Sequence, residues 1–316
     1  MRLIALFALA ACKDLTAPDS EAVDTSIPAA SSTFDPAWFS DSATFRSADE
    51  VDCTLSDGSQ TTCVELVFGS NPVPEGPYCP ANADDVAGLG AYDGPTHPGL
   101  QALNRTLFEA MEADGYDIID PDGTVHIADP AERPDDPRAA YCLEATRDDG
   151  LTVTVLIPLE PSLLSTPRQL GEVDPLGLAL DGYPLAGDPP SVVERGHIPA
   201  IDPCGGHQDP AGYYHGHLAA SAINALLTNL GIEDVRCSNA TQDTDALVGV
   251  ALDGFAIYGS TEDGVVPGDL DACGGHSSAT AELPDGAYHY HTRSNEGPDL
   301  PDCLVGASVE RAVEVR

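Results

Sequence analysis

Gly286-Ala287-Tyr288-His289-Tyr290-His291 decides how this chain is read, and Gly212-Tyr213-Tyr214-His215-Gly216-His217 is its upstream copy. In a strand, successive side chains face opposite ways. His289 and His291 therefore share one face, and Tyr288 and Tyr290 share the other, where they can pack in a core. The same holds for His215 and His217. Each copy follows a Cys-Gly-Gly-His tetrad, Cys204 to His207 and Cys273 to His276, so six of the nine histidines fall in one repeated pattern.

The repetition extends outward. Leu176-Gly-Leu-Ala-Leu-Asp181-Gly182-Tyr183-Pro184-Leu185 matches Val248-Gly-Val-Ala-Leu-Asp253-Gly254-Phe255-Ala256-Ile257. Asp202-Pro-Cys-Gly-Gly-His207 matches Asp271-Ala-Cys-Gly-Gly-His276. The period is about 70 residues, longer than solenoid units, and there are two copies, at about 174–243 and 245–310. Each reads as strand, Asp-Gly turn, strand, long loop, Cys-Gly-Gly-His, turn, strand. Between them, Ile223, Leu226, Leu227 and Leu230 mark one face of a helix over 219–230 that stops at Gly231.

Upstream, Asp57-Gly58 signals a hairpin between Cys53 and Cys63, and Val64 to Phe68 reads as a strand. Leu100, Leu103, Leu107, Phe108 and Met111 recur at helical spacing and predict a helix ending near Gly115. Leu151 to Leu159 is apolar and β-branched, a buried strand. The expected fold is mainly β (a β-rich α+β class), internally duplicated with pseudo-two-fold symmetry, carrying two minor helices and stapled by disulfides.

Met1-Arg2 followed by the apolar run Leu3 to Ala11 reads as a targeting segment, too short to span a bilayer. Leu9-Ala10-Ala11-Cys12 resembles the lipobox of bacterial lipoproteins, with Cys12 as the lipidated residue. Lys13, rather than Asp, follows it, which disfavours inner-membrane retention. The expected organisation is a signal peptide over 1–11, a flexible tether over 12–48 rich in Ala, Ser, Thr, Asp and Pro, and one domain over 49–316. The expected location is the bacterial cell envelope, lipid-anchored at the outer membrane or cell surface.

The remaining eight cysteines are Cys53, Cys63, Cys79, Cys142, Cys204, Cys237, Cys273 and Cys303. An even number in an exported chain reads as a disulfide framework. Cys204 precedes Cys237 by 33 residues and Cys273 precedes Cys303 by 30, at equivalent places in the two copies. Sequential pairing is therefore expected. The competing reading makes Cys204 or Cys273 a metal ligand.

Of 316 residues, 52 are acidic and 13 basic, a formal net charge of -39, and Lys13 is the one lysine. Such a surface repels nucleic acid, which is excluded as a partner, and attracts cations, including Ca²⁺. With 42% hydrophobic residues the chain is still rich enough to fold. Asp120-Pro121-Asp122-Gly123 lacks the rest of a Ca²⁺ loop and reads as a turn. The sequence shows no Gly-rich phosphate loop and no nucleophile elbow.

The chemistry rests on the histidines. Two imidazoles two residues apart on a strand, about 6–7 Å at the backbone, can converge on one ion. His207 and His276 end glycine-flexed loops that can bring in a third. Three histidines suit Zn²⁺ or Cu²⁺ and leave a fourth position for water or substrate. The candidate ligands are His207, His215, His217, His276, His289 and His291. Asp181 and Asp253 are candidates to orient a ligating histidine from behind, against the simpler reading that Asp-Gly makes the turn.

At these motifs the chain resembles the YHYH protein family. The likeness runs through Gly249-Val-Ala-Leu-Asp-Gly-Phe-Ala-Ile-Tyr-Gly259, Asp271-x-Cys273-Gly-Gly-His276, Pro284-Asp-Gly-x-Tyr-His-Tyr-His291 and Cys303 followed by Gly306. It covers about 150–306 well and 50–150 loosely. The resemblance implies one bacterial extracytoplasmic domain and brings no reaction with it. Gly216 departs from the pattern, keeping His-x-His and losing an aromatic. The leading expectation is binding of copper or zinc. The alternatives are a metal-dependent hydrolase or oxidase acting on an extracellular substrate, and a structural or adhesive module with a calcium-stabilised acidic surface. Nothing in the sequence points to a protein partner.

Overall fold

The structure is a computed structural model. It describes residues 34–316 apart from 74–75, 77, 86, 129–138, 233–235, 238–239 and 294–298. The targeting segment, Cys12 and the tether up to residue 33 lie outside the described residues.

The centre of the fold is an eight-stranded sheet built from both copies. Its order is Gly206–Gln208, Tyr214–Gly216, Pro184–Ala186, Pro175–Ala179, Leu247–Ala251, Ala256–Tyr258, Ala287–His291, Gly275–Ser278. Read from either edge, the copies present equivalent strands in the same order. At the middle, Leu178 pairs antiparallel with Val250, its own counterpart in the other copy. The remaining pairings are matched as well: Leu185 lies opposite Gly216, and Ile257 opposite Tyr290, both in parallel register. Strand order and pairing are thus matched about the middle of the sheet, as an internal duplication would place them.

One face of this sheet is covered by a four-stranded antiparallel sheet of Phe45–Thr54, Gln60–Gly69, Thr152–Pro158 and Val313–Val315. Val153, Val155 and Ile157 alternate inward along one strand, as a half-buried strand requires. They meet Leu66 and Phe68 of the neighbouring strand and Leu178, Val250, Phe255 and Tyr290 of the central sheet in one core. The tyrosines of the repeated motif belong to this core, as their strand parity predicts.

A five-stranded sheet and the helix Arg105–Ala113 enclose a second core around Leu103, Leu107, Phe108, Met111 and Ile198. The helix begins later than its apolar spacing predicts. Gly99–Ala102 pairs as a strand with Leu89–Tyr92, and the Asn104 side chain then accepts from the Leu107 N–H, capping the first turn. The helix Ala220–Asn229 falls where predicted, with Gly231 at φ +72° behind it. A one-turn helix, Val192–Arg195, was not expected.

All four sequential disulfides are present: Cys53–Cys63, Cys79–Cys142, Cys204–Cys237 and Cys273–Cys303. Cys204 and Cys273 are thereby excluded as thiolate ligands. The folded region starts before residue 49. Phe34 and Phe39 are buried against Phe68 and its neighbours, and the first strand starts at Phe45. Residues 34–48 are thus part of the domain and not of a tether. The reason is aromatic: two phenylalanines in a polar stretch supply enough apolar area to anchor it.

Candidate metal centres

In the second copy, Gly275–Ser278 pairs antiparallel with Ala287–His291 so that His276 lies directly opposite His289. Directly opposed residues project from the same face. His291, two residues on, joins them. The sheet therefore places three imidazoles side by side, and all three are 9% exposed or less.

The loop that carries His276 is set by Asp271. Its Oδ1 accepts the N–H groups of Cys273 (2.8 Å) and Gly275 (3.0 Å), and its Oδ2 accepts the Tyr288 hydroxyl (2.9 Å). Asp202 holds the equivalent loop through Oδ1 alone, which accepts from the Cys204 and Gly206 N–H groups and the Tyr214 hydroxyl. The first glycine of each tetrad takes a left-handed backbone, φ +89° at Gly205 and +78° at Gly274. The second leaves no room for a side chain: a Cβ on Gly275 would lie 2.1 Å from the Tyr288 hydroxyl oxygen. Tyr288 and Tyr214 thus hold the loop from behind while the histidines face the other way.

Each ring of the second copy is tethered through Nδ1. His276 Nδ1 meets Asp269 Oδ1 at 2.9 Å, His289 Nδ1 meets the Ala287 carbonyl at 3.0 Å, and His291 Nδ1 meets the Gly259 carbonyl at 2.7 Å. A neutral imidazole that donates from Nδ1 carries a lone pair on Nε2. Those lone pairs converge. Nε2 of His291 is 3.1 Å from that of His289 and 3.3 Å from that of His276. Acceptor facing acceptor at these distances is repulsive unless a cation lies between them.

Glu262 completes the group. Its Oε1 lies 3.1 Å from Nε2 of both His276 and His289 and 3.5 Å from that of His291. Burial works against its charge, and the Ser278 hydroxyl, donating at 2.6 Å, favours it. Metal–nitrogen bonds of about 2.0–2.1 Å in a tetrahedron put ligand atoms about 3.3 Å apart. The five separations quoted, 3.1 to 3.5 Å, bracket that edge.

The first copy repeats the arrangement with one ligand fewer. His207 is paired with His215 across antiparallel strands, and His217 lies two residues on. Nε2 of His217 is 3.0 Å from that of His215 and 3.2 Å from that of His207. His217 Nδ1 is held by the Gly187 carbonyl at 2.5 Å, and the Ala200 carbonyl hydrogen-bonds to His207. His215 Nδ1 is buried without a hydrogen-bond partner among the described residues. Among those residues no carboxylate joins this cluster.

In the first copy, protonation does not relieve the crowding. Burial, followed by the nearby His217 and, more weakly, His197, drives His207 down to about 3 despite the Ala200 carbonyl. Burial drives His217 to about 4 and His215 well below the usual imidazole range. Burial also lowers His289 and His291. Neutral imidazoles with lone pairs converging on one point are the donor set that a borderline transition ion takes.

All six histidines nominated from the sequence therefore fall into two clusters of three. Asp181 and Asp253 do not orient them. Asp253 accepts from the Tyr290 hydroxyl (2.6 Å), the Gly306 N–H (2.9 Å) and the Phe255 N–H (3.5 Å). Among the described residues Asp181 makes no side-chain hydrogen bond to a histidine, and its burial raises its pKa. Both sit at the Asp-Gly turns that the simpler reading gave them, with Gly182 and Gly254 at φ +90°. The groups behind the imidazoles are backbone carbonyls and Asp269. Glu262 was missed by sequence reasoning. Aligning the copies with Gly259 opposite Gly187 sets Glu262 against Pro190, so no repeated counterpart marks it.

Residues 154–265 match a family model described as YHYH protein, a match that supports a YHYH domain in this part of the chain. The match takes in His207, His215, His217 and Glu262 and ends before His276. No curated protein and no solved structure matches the chain.

Proposed function

We propose that this chain is an extracytoplasmic metal-binding domain whose two histidine clusters each hold a transition ion, Cu²⁺ or Zn²⁺. One observation carries the reading. In both copies, buried Nε2 atoms converge at 3.0 to 3.3 Å, with most of the rings tethered from behind through the other nitrogen. Packing alone supplies no reason to aim lone pairs at one another, and a bound cation supplies one. Imidazole suits both copper and zinc. Glu262 adds a hard oxygen of the kind found in tetrahedral zinc sites. The four disulfides fit an oxidising compartment. In this reading Cys12 carries the lipid that holds the domain at the bacterial envelope.

Metal content by mass spectrometry on protein purified from the periplasm tests the proposal. We expect close to two transition ions per chain, and about one in each of His289→Ala/His291→Ala and His215→Ala/His217→Ala. Metal below about a tenth of an equivalent in native protein after incubation with Zn²⁺ or Cu²⁺ would sink it.

A further inference from the structure

We infer that the two clusters are chemically unequal. Glu262 closes the cluster of His276, His289 and His291 as a four-ligand structural centre. The cluster of His207, His215 and His217 is a three-ligand centre whose fourth position takes an exchangeable small anion, of the hydroxide or azide class. This deepens the metal-binding reading and rests on it.

The repeat makes the comparison direct. His291 Nδ1 is held by the Gly259 carbonyl and His217 Nδ1 by the Gly187 carbonyl, so these two glycines are structural equivalents. Three residues beyond Gly259 stands Glu262, with Oε1 within 3.5 Å of all three Nε2 atoms. Three residues beyond Gly187 stands Pro190, whose side chain has no ligand atom to offer. Its segment lines a half-open apolar pocket of about 300 Å³ together with Leu218, the residue after His217. The second copy further ties down every ring through Nδ1. In the first, His215 Nδ1 is buried and unpaired among the described residues.

Charge sharpens the contrast. A divalent ion on three neutral imidazoles keeps both positive charges in a buried place, and an anion from solution offsets them. On three imidazoles and a carboxylate one charge is already balanced, and tetrahedral coordination is complete. Open positions with three protein ligands are the arrangement of reactive metal sites, and closed four-ligand sets that of structural ones.

Reconstitution with Co²⁺, read by its visible absorption with azide as the probe anion, tests this. Native protein should bind two Co²⁺, and saturating azide should shift the absorption of one of them. His276→Ala/His289→Ala should bind one Co²⁺ and keep the whole azide response. His215→Ala/His217→Ala should bind one and lose it. Glu262→Ala should roughly double the native response by opening the second centre. If one double variant does not fold, the other still assigns the response to one centre. Two bound Co²⁺ that both respond, or neither, overturn the inference and leave the metal-binding reading standing. A response confined to the His276 centre also overturns it. A chain that takes up no Co²⁺, Zn²⁺ or Cu²⁺ overturns both.

Discussion

Tyr290 and His289 are neighbours in sequence and opposites in role. Tyr290 is fully buried in the core between the sheets, where its hydroxyl donates to Asp253 (2.6 Å) and accepts the Val305 N–H (2.8 Å). Removing the hydroxyl leaves the buried Val305 N–H unpaired and takes from Asp253 one of its three hydrogen bonds. Each buried group left unpaired costs about 1–3 kcal/mol. Tyr290→Phe should therefore lower stability by about that much in chemical denaturation and leave metal stoichiometry unchanged. His289→Ala should do the reverse, abolishing one equivalent of metal. A Tyr290→Phe protein that folds as stably as native and binds one ion fewer would place the tyrosine in the site. Gly216 shows how the first copy manages without its tyrosine. A Cβ there would come within 2.7 Å of the Tyr183 ring, so Tyr183 already fills the space and Phe255, its counterpart, does not carry a hydroxyl.

Among the elements, the helix Ala220–Asn229 is tied at its start to a residue far along the chain. Its N-cap residue, Ala219, has no side chain to cap with. Instead both carboxylate oxygens of Asp299 accept the Ala219 N–H at 3.1 Å, joining the end of the second copy to the helix that follows the first. Asp299 is buried, and burial outweighs that N–H and raises its pKa to about 8 from an ordinary 3.8. A carboxyl whose folded pKa is raised contributes stability that is full below the unfolded value and is lost as pH rises through the folded value. The apo domain should therefore lose stability between about pH 4 and pH 8, and Asp299→Asn should flatten the curve across that window. Equilibrium unfolding of chelator-treated protein at several pH values checks this, and parallel curves for the two proteins would exclude it.

The same scale shows what could be read from the chain. The repeated strands, the second helix and the disulfide pairs follow from period, apolar spacing and cysteine parity, because each is a local pattern repeated. Leu100 was misread as helix because apolar spacing cannot say that Gly99–Ala102 finds a strand partner 10 residues upstream. Phe34 and Phe39 were misread as tether because their burial depends on Phe68, distant in sequence. Glu262 was hidden for a different reason. It is one of 52 acidic residues, it lies 14 residues before His276, and no motif surrounds it. The histidines announced themselves by duplication, and Glu262 has no duplicate.

At the scale of the whole molecule, two kinds of cation binding have to be told apart. A net charge of -39 on a chain of 316 residues repels itself, so any cation that screens it favours the compact state. Calcium would do so, and so would magnesium, without needing a site. The histidine clusters are different: they offer imidazole nitrogens, which suit transition ions and not the oxygen-seeking Ca²⁺. A ligand that binds only the native state adds about 2.7 kcal/mol when present at 100 times its Kd. Melting temperatures of chelator-treated protein should therefore rise alike with millimolar Ca²⁺ or Mg²⁺, and these rises should vanish in high salt. Micromolar Zn²⁺ should raise the melting temperature further in the same high salt. That further rise should shrink when His289 and His291 are replaced, and disappear when His215 and His217 are replaced as well. A Ca²⁺ rise that survives high salt and exceeds that of Mg²⁺ would mean a dedicated oxygen site, and would move the acidic surface from solvent coat to binding machinery.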